Sequence, residues 1–261
     1  MAQMVEIQGE LLAVQVFEPS THRGDALLVH GYTGSKEDFI DLGPLLAARG
    51  YRVVTFDNRG QHESAHSQRP DAYSIASLAC DAIELCGHFG LQQPHLLGHS
   101  FGGLVAQRAV VAAPAHWSSL TLLCSGPGAI PGKPELPLTI EVLQSMSMVD
   151  AWYAYRDEIA KADPTYELMK KRWAVSDPRS VIAHARHLMS EPPLGPAIRA
   201  TGIPVHVVYG EKDDAWPLHM QDAMAQELRA PVTVIKGAGH CPNEDHPAET
   251  ATVLADFWDA V

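Results

Sequence analysis

Short runs dominated by apolar residues recur along the chain, at Ala26–Val29, Tyr51–Phe56, His95–Leu97, Leu120–Leu123, Val205–Tyr209 and Val232–Ile235. Such runs, with little polar alternation, predict strands of a sheet buried on both faces. Between them the apolar positions take up helical spacing. That spacing predicts helices over Phe39–Arg49, Ser74–Phe89, Phe101–Ala113, His219–Leu228 and Pro247–Ala260. Strand, helix, strand in succession reads as right-handed βαβ units and a mostly parallel sheet. At the start, Val5–Phe17 predicts a hairpin of two further strands around Gly9-Glu10.

The rhythm fails between residues 127 and 200, where no strand pattern occurs. This segment opens among Gly126, Pro127, Gly128, Pro131, Gly132 and Pro134, and closes at Pro192-Pro193-Leu194-Gly195-Pro196. Between those breakers the pattern predicts helices near Leu138–Lys161, Thr165–Ala174 and Arg179–Met189. A helical insert between Pro/Gly hinges predicts a cap after the sixth strand. The expected organisation is a core of residues 1–126 and 201–261, with the cap at 127–200. The insert is rich in Met and aromatic residues, among them Met146, Trp152 and Trp173. Such residues either form the insert's own core or line an apolar substrate pocket.

Composition narrows the partners. The 261 residues carry 19 Lys and Arg against 31 Asp and Glu, a net charge of −12 that repels phosphate backbones and anionic membrane surfaces. No nucleic-acid partner is expected. No apolar run is long enough to span a membrane, and the first residues carry no basic, apolar leader, so the expected compartment is the cytoplasm. The four cysteines, Cys80, Cys86, Cys124 and Cys241, have no C-x-x-C spacing and predict no disulfide framework. Oligomeric state leaves no signal in the sequence.

The chemistry begins after the strand at His95–Leu97. There Gly98-His99-Ser100-Phe101-Gly102 reads G-x-S-x-G, followed by Gly103 and a predicted helix. Strand, sharp turn and helix are the context in which such a serine becomes an exposed nucleophile at the end of a sheet. Gly98 and Gly102 leave space for the turn, and the Phe101 amide at a helix N-terminus is free to donate.

On these residues the chain resembles the α/β-hydrolase superfamily, over nearly its whole length except the cap. The resemblance implies a mostly parallel central sheet flanked by helices, and a Ser-His-Asp triad that needs no cofactor. In similar proteins the turn after the first parallel strand supplies a second oxyanion donor. Here that turn is His30-Gly31-Tyr32, so the Tyr32 amide would join that of Phe101. His30 itself would tie down its own loop.

Fourteen histidines compete for the base. The resemblance puts the base after the last strand, in Lys236-Gly237-Ala238-Gly239-His240. The acid should follow the preceding strand, in Gly210-Glu211-Lys212-Asp213-Asp214-Ala215-Trp216-Pro217. Family spacing selects Asp213 there, with Asp214 as the alternative. The i, i+4 pair His62 and His66 and the i, i+3 pair His184 and His187 lack a converging third ligand or a nearby carboxylate, so no metal is expected. The loop Asp57-Asn58-Arg59-Gly60-Gln61-His62-Glu63-Ser64 resembles the superfamily's D-x-R-G-x-G-x-S loop, with His62 in place of its second glycine. His99, Met146, Trp152, Trp173 and Trp216 are expected to line the pocket.

The reading is a carboxylesterase-like hydrolase acting on a small or medium apolar ester through an acyl-enzyme. Serine at the elbow argues against epoxide hydrolase and haloalkane dehalogenase chemistry, whose enzymes use aspartate there. The same triad serves C–C bond hydrolysis, thioester hydrolysis, acyl transfer and cofactor-free perhydrolysis. A non-catalytic small-molecule receptor on the same fold is the remaining alternative.

Overall fold

A computed structural model describes residues 2–261, apart from the Ile159 side chain. Eight strands form one sheet: β1 (Gln3–Ile7), β2 (Glu10–Phe17), β3 (Gly24–Val29), β4 (Tyr51–Phe56), β5 (His95–His99), β6 (Ser119–Leu123), β7 (Val205–Gly210) and β8 (Val232–Ile235). Their order across the sheet is β1-β2-β4-β3-β5-β6-β7-β8. β1 pairs antiparallel with β2, and β2 with β4, while all other pairs are parallel. β4 is laid on one side of β3 and β5 on the other, so the winding reverses at β3. In open parallel sheets the crevice at such a reversal, outside the carboxyl ends of the strands, is where ligands bind. Val29 lies opposite Gly98 in the β3–β5 register, so the loops that follow these strands emerge side by side.

The sheet is flanked by α1 (Leu42–Ala48), α2 (Ile75–Phe89) and α3 (Phe101–Ala112). Between β6 and β7 come α4 (Glu135–Ser145), α5 (Met148–Ala151), a π turn (Trp152–Arg156), α6 (Asp157–Ala160), α7 (Tyr166–Val175), α8 (Pro178–Ser190) and α9 (Gly195–Thr201). The chain ends with α10 (Leu218–Leu228), α11 (Pro242–Asp245) and α12 (Pro247–Trp258). Every residue of β5, β6 and β7 is buried, as expected for strands covered on both faces.

Three sequence expectations need correction. The hairpin turns at Gln8-Gly9, not Gly9-Glu10, because Gln8 and Gly9 both have positive φ (53° and 76°) and Glu10 opens β2. This is the paired left-handed geometry of a tight hairpin. β8 is buried only at Ile235, with Val232 and Val234 each 40% exposed. It is the edge strand, so its apolar run reflects strand propensity and not two-sided burial. The long helix expected over Leu138–Lys161 is broken. Met146 takes an extended backbone, and the Ser147 side chain caps a new helix by accepting from the Asp150 amide.

The helical segment carries its own apolar cluster, which includes Val142, Leu143, Met148, Trp152, Trp173 and Val181. Tyr32 packs against both this cluster and the main core. At the far end of the segment, Ile198 of α9 belongs to the main core.

Candidate active site

The serine stands on a forced turn. Ser100, between β5 and α3, has φ 52° and ψ −118°, outside the regions open to ordinary side chains. The surrounding glycines explain how this conformation is held. A Cβ on Gly98 would strike the main chain of Gly102 and Gly103, and one on Gly102 would strike the Val29 and His30 carbonyls. The elbow is thus pressed into the end of β3. Ser125 fixes it from β6, its hydroxyl donating to the Ser100 carbonyl at 2.7 Å. Ser100 is 8% exposed. Among the described residues its hydroxyl makes no hydrogen bond, to His240 or to any other group.

The β3 loop lies against the elbow. A Cβ on Gly31 would sit 3.1 Å from the Ser100 Cβ, tight enough to push the elbow by a few tenths of an ångström, so glycine lets the loop lie close. His30 pins the loop, with Nδ1 2.8 Å from the Gly31 carbonyl and Nε2 accepting from the Asn58 amide at 2.8 Å. Burial pushes its pKa down to about 4, so the ring is neutral and can accept at Nε2. The Tyr32 and Phe101 amides donate to no group of the chain among the described residues. Both belong to the turns that meet at Ser100.

Asp213 and His240 meet at the ends of β7 and β8. His240 Nδ1 is 2.8 Å from Asp213 Oδ1. That carboxylate also accepts from the Ala215 and Trp216 amides at 3.0 and 3.2 Å, and from Gln221 Nε2 at 2.8 Å. Burial works to raise its pKa, but the bonds from His240, Gln221 and the Trp216 amide outweigh it and the net shift is downward. Asp213 therefore holds a negative charge beside the ring. Asp214 is exposed, and only its carbonyl is engaged, by Lys133 at 3.1 Å. Gly210 sets the two loops in contact, because a Cβ there would strike the Ala238 and Gly239 carbonyls.

His99 packs behind this pair. Its ring lies 5.0 Å from that of His240 and its Nε2 2.9 Å from the His240 carbonyl. Burial pushes the His99 pKa down to about 4, which makes it a neutral donor that orients the loop. The other expected pocket residues separate. Trp216 is buried against Gly126. Trp152 is buried in the cap cluster, its Nε1 donating to Asp157 at 3.0 Å. Trp173 lines a cap cavity of about 390 Å³. Met146 is 40% exposed and outside the lining of that cavity, because the helix break turns it outward.

The histidine pairs also need correction. His187 has a carboxylate partner after all, with Glu191 Oε2 3.3 Å from its Nδ1 one helical turn away. His62 gathers with Glu37 and Asp57 within the span of a metal site. That cluster already holds a cation, since Lys36 Nζ lies 2.8 Å from Glu37 and 3.0 Å from Asp57. His62 has φ 44°, so it keeps the backbone that a glycine in its place would supply. A second gathering, Cys124, Asp213 and His240, has two of its members bonded to each other.

A serine on a strained strand–turn–helix elbow, a histidine–aspartate pair at two later strand ends and two unengaged amides on the turns beside the serine form a recognisable constellation. The whole arrangement sits where one family's shared sequence pattern runs, from residue 26 to residue 253. The chain belongs to the alpha/beta hydrolase family. Curated members of the family resemble it at modest identity. A pimeloyl-[acyl-carrier protein] methyl ester esterase from Methylococcus capsulatus is 27% identical over 93% of this chain and 98% of its own. A 2-succinyl-6-hydroxy-2,4-cyclohexadiene-1-carboxylate synthase from an Enterobacter is 25% identical over 88% of this chain and 90% of its own. Among solved structures, an esterase from Exiguobacterium antarcticum superposes with a TM-score of 0.83 at 20% identity, covering 99% of this chain and 100% of that one. That likeness shows the alpha/beta hydrolase fold and nothing finer. Among the described residues of this hydrolase no helix is long and apolar enough to cross a membrane.

Sequence reasoning missed several groups that build the site. Gln221, on the first turn of α10, is fully buried and holds the outer Asp213 oxygen. Ser125 braces the elbow. Arg156 reaches the cap cavity from the π turn. None of the three carries a local motif. Each is recruited by an approach between distant segments.

Proposed function

We propose that this member of the family is a serine hydrolase that cleaves a carboxylic ester through an acyl-enzyme, with Ser100 as nucleophile, His240 as base and Asp213 as its orienting acid. The observation that carries the reading is the engagement of His240 Nδ1 by Asp213 at 2.8 Å. It leaves Nε2 as the nitrogen able to take a proton. Among the described residues no hydrogen bond joins Ser100 to His240, and bonds of this kind commonly form fully only when substrate is bound.

The reaction then runs in two balanced halves. Nε2 takes the Ser100 proton as Oγ bonds to the ester carbon. The tetrahedral oxyanion accepts from the Tyr32 and Phe101 amides, each such donor lowering the barrier by about 3 kcal/mol. The carbon–alkoxy bond breaks and His240 returns the proton to the departing alcohol. Water, deprotonated by His240, attacks the acyl-enzyme; the carbon–Oγ bond then breaks as His240 returns that proton to Oγ, which releases the acid and restores Ser100. Asp213 stabilises the imidazolium without accepting its proton. No metal or organic cofactor takes part. Residues 127–200 act as a cap that selects a small or medium, largely apolar acyl group.

The methyl ester esterase named above supports an ester over the other chemistries open to the same triad. The test is fluorophosphonate labelling of the purified protein, with turnover of a panel of simple esters and the matching thioesters. Labelling at Ser100 and faster ester than thioester turnover are expected. A protein that neither labels nor turns over any ester would sink the reading.

A further inference from the structure

The cap cavity contains a charge without a counter-charge. Its walls include Val142, Leu143, Met169 and Trp173, so most of its surface is apolar. At about 390 Å³ it falls in the range of roughly 300–1,000 Å³ usual for small-molecule sites. Into it the π turn delivers Arg156, whose guanidinium lies over the Trp173 ring at 4.6 Å. Single π turns inside helices are uncommon and recur at functional sites.

Among the described residues no carboxylate comes within 4.0 Å of this guanidinium, and it donates no hydrogen bond. Two acids do line the cavity, Glu135 and Asp163. Both are exposed at its rim, and Asp163 is already bonded to the Thr165 amide and hydroxyl. Its neighbour Arg172 differs, since Asp38 pairs with it at 2.5 Å. Burial lowers the Arg156 pKa from its ordinary value, a sign that the fold gives the charge little compensation. Arginine nevertheless stays protonated in proteins. A half-buried guanidinium with five donors and no acceptor is an unfinished site.

The cavity extends toward the loop that follows β3. Arg156, Met169 and Trp173 line both this cavity and a narrow gap of about 10 Å³ that opens beside Thr33. Thr33 belongs to the β3 loop whose Tyr32 amide faces Ser100. The Tyr32 hydroxyl is buried near Thr139 on the cavity wall, and the charge of Arg156 acts on it.

We infer that the preferred substrate is an ester whose remote end is a carboxylate, seated in the cap cavity with Arg156 as its fork-shaped partner and its apolar chain along Trp173 and Met169. This rests on the ester-hydrolase reading above. One guanidinium with no second free cation on the cavity wall suits a singly charged carboxylate over a doubly charged phosphate.

The test compares methyl hydrogen suberate with methyl octanoate, the same chain with and without a terminal carboxylate. The wild-type protein is expected to favour the anionic ester in kcat/KM by ~10-fold or more, the equivalent of one well-made ionic contact. Arg156→Gln should erase that preference through KM, and leave methyl octanoate within ~3-fold of wild type. Arg156→Lys, which keeps the charge and loses the fork, should fall between. The wild-type comparison needs no variant, so a poorly folding Arg156→Gln does not shelter the idea. Equal turnover of the two esters by wild type, or equal loss on both in Arg156→Gln, overturns it while leaving the ester-hydrolase reading intact. Calorimetry of methyl hydrogen suberate on Ser100→Ala protein, with and without Arg156→Gln, reads the pocket apart from chemistry. Binding that depends on Arg156 in a protein whose wild type turns over neither ester would retain the anion pocket and reject the ester hydrolase.

Discussion

Around Ser100 the backbone leaves no slack, whereas the cap is built with space in it. At the elbow, side chains on Gly98, Gly102 or Gly210 would collide with main-chain atoms, and both Asp213 oxygens are engaged. In the cap, helices are short and broken at Met146, and a cavity opens between them. Tyr153, Tyr155, Val149 and Met189 all stay exposed there. The difference has a physical source. A parallel sheet dictates where its strand ends lie, so groups placed there inherit fixed geometry. The helices stacked over that edge belong to no shared ladder; they meet the core through side-chain packing and individual polar contacts, such as the Asp177 amide on the Gly60 carbonyl and the Arg172–Asp38 pair. On the proposed mechanism bond-making falls to the rigid layer and substrate choice to the cap.

The comparison can be broken most directly at the serine. Ser100→Ala should lower kcat by at least ~10⁴-fold with an unchanged circular dichroism spectrum. Residual activity near wild type would mean that the rigid layer does not carry the chemistry. At the acid, Asp213→Asn should cost at least ~100-fold in kcat, and Asp214→Asn less than ~10-fold. The reverse ranking would move the orienting role to the exposed neighbour. In the cap, Trp173→Phe removes the Nε1 bond to the Met148 carbonyl at 2.7 Å and trims the ring beneath Arg156. It should shift the preference between short and long esters by up to ~10-fold and barely alter kcat on the shortest. A uniform loss on every ester would show the cap ring acting on chemistry instead.

The smallest effect concerns pH. Glu244, on α11 after His240, is half-buried, and burial raises its pKa from 4.5 to about 7. Its folded pKa lies above its unfolded one, so the fold favours the neutral acid. That contribution is complete below about 4.5 and is lost as pH rises toward about 7. Glu244→Gln should therefore gain on wild type by about 1 kcal/mol across this window, a figure discounted for partial exposure. Urea unfolding at both ends of the window measures it. Parallel curves for the two proteins would remove the raised carboxyl from the account.

The rigid layer was the legible one. The strand runs and the G-x-S-x-G turn follow from short-range pattern, because strands announce themselves locally, and the family resemblance then points to Asp213 and His240 at two of those strand ends. The cap resisted for the opposite reason. Its apolar residues fit helix faces whether they pack inward or not, so Met146 and Trp173 look alike in sequence, though only Trp173 lines the cavity. The break at Ser147 and the π turn that aims Arg156 depend on contacts with other helices. Gln221 illustrates the same limit inside the rigid layer: eight residues from Asp213, it meets the carboxylate only because α10 folds back.

Tyr32 joins the two layers in one residue. It follows Gly31, which lies against Ser100, and its side chain packs on both the main core and the cap cluster. An amide donor is supplied by every amino acid except proline, so on the proposed mechanism this position is free to vary without touching the reaction. What changes with the side chain is the packing between the main core and the cap cluster. Lineages of this enzyme could therefore drift toward new substrates by single changes at position 32. A laboratory library confined to that codon would sample specificity without sacrificing turnover.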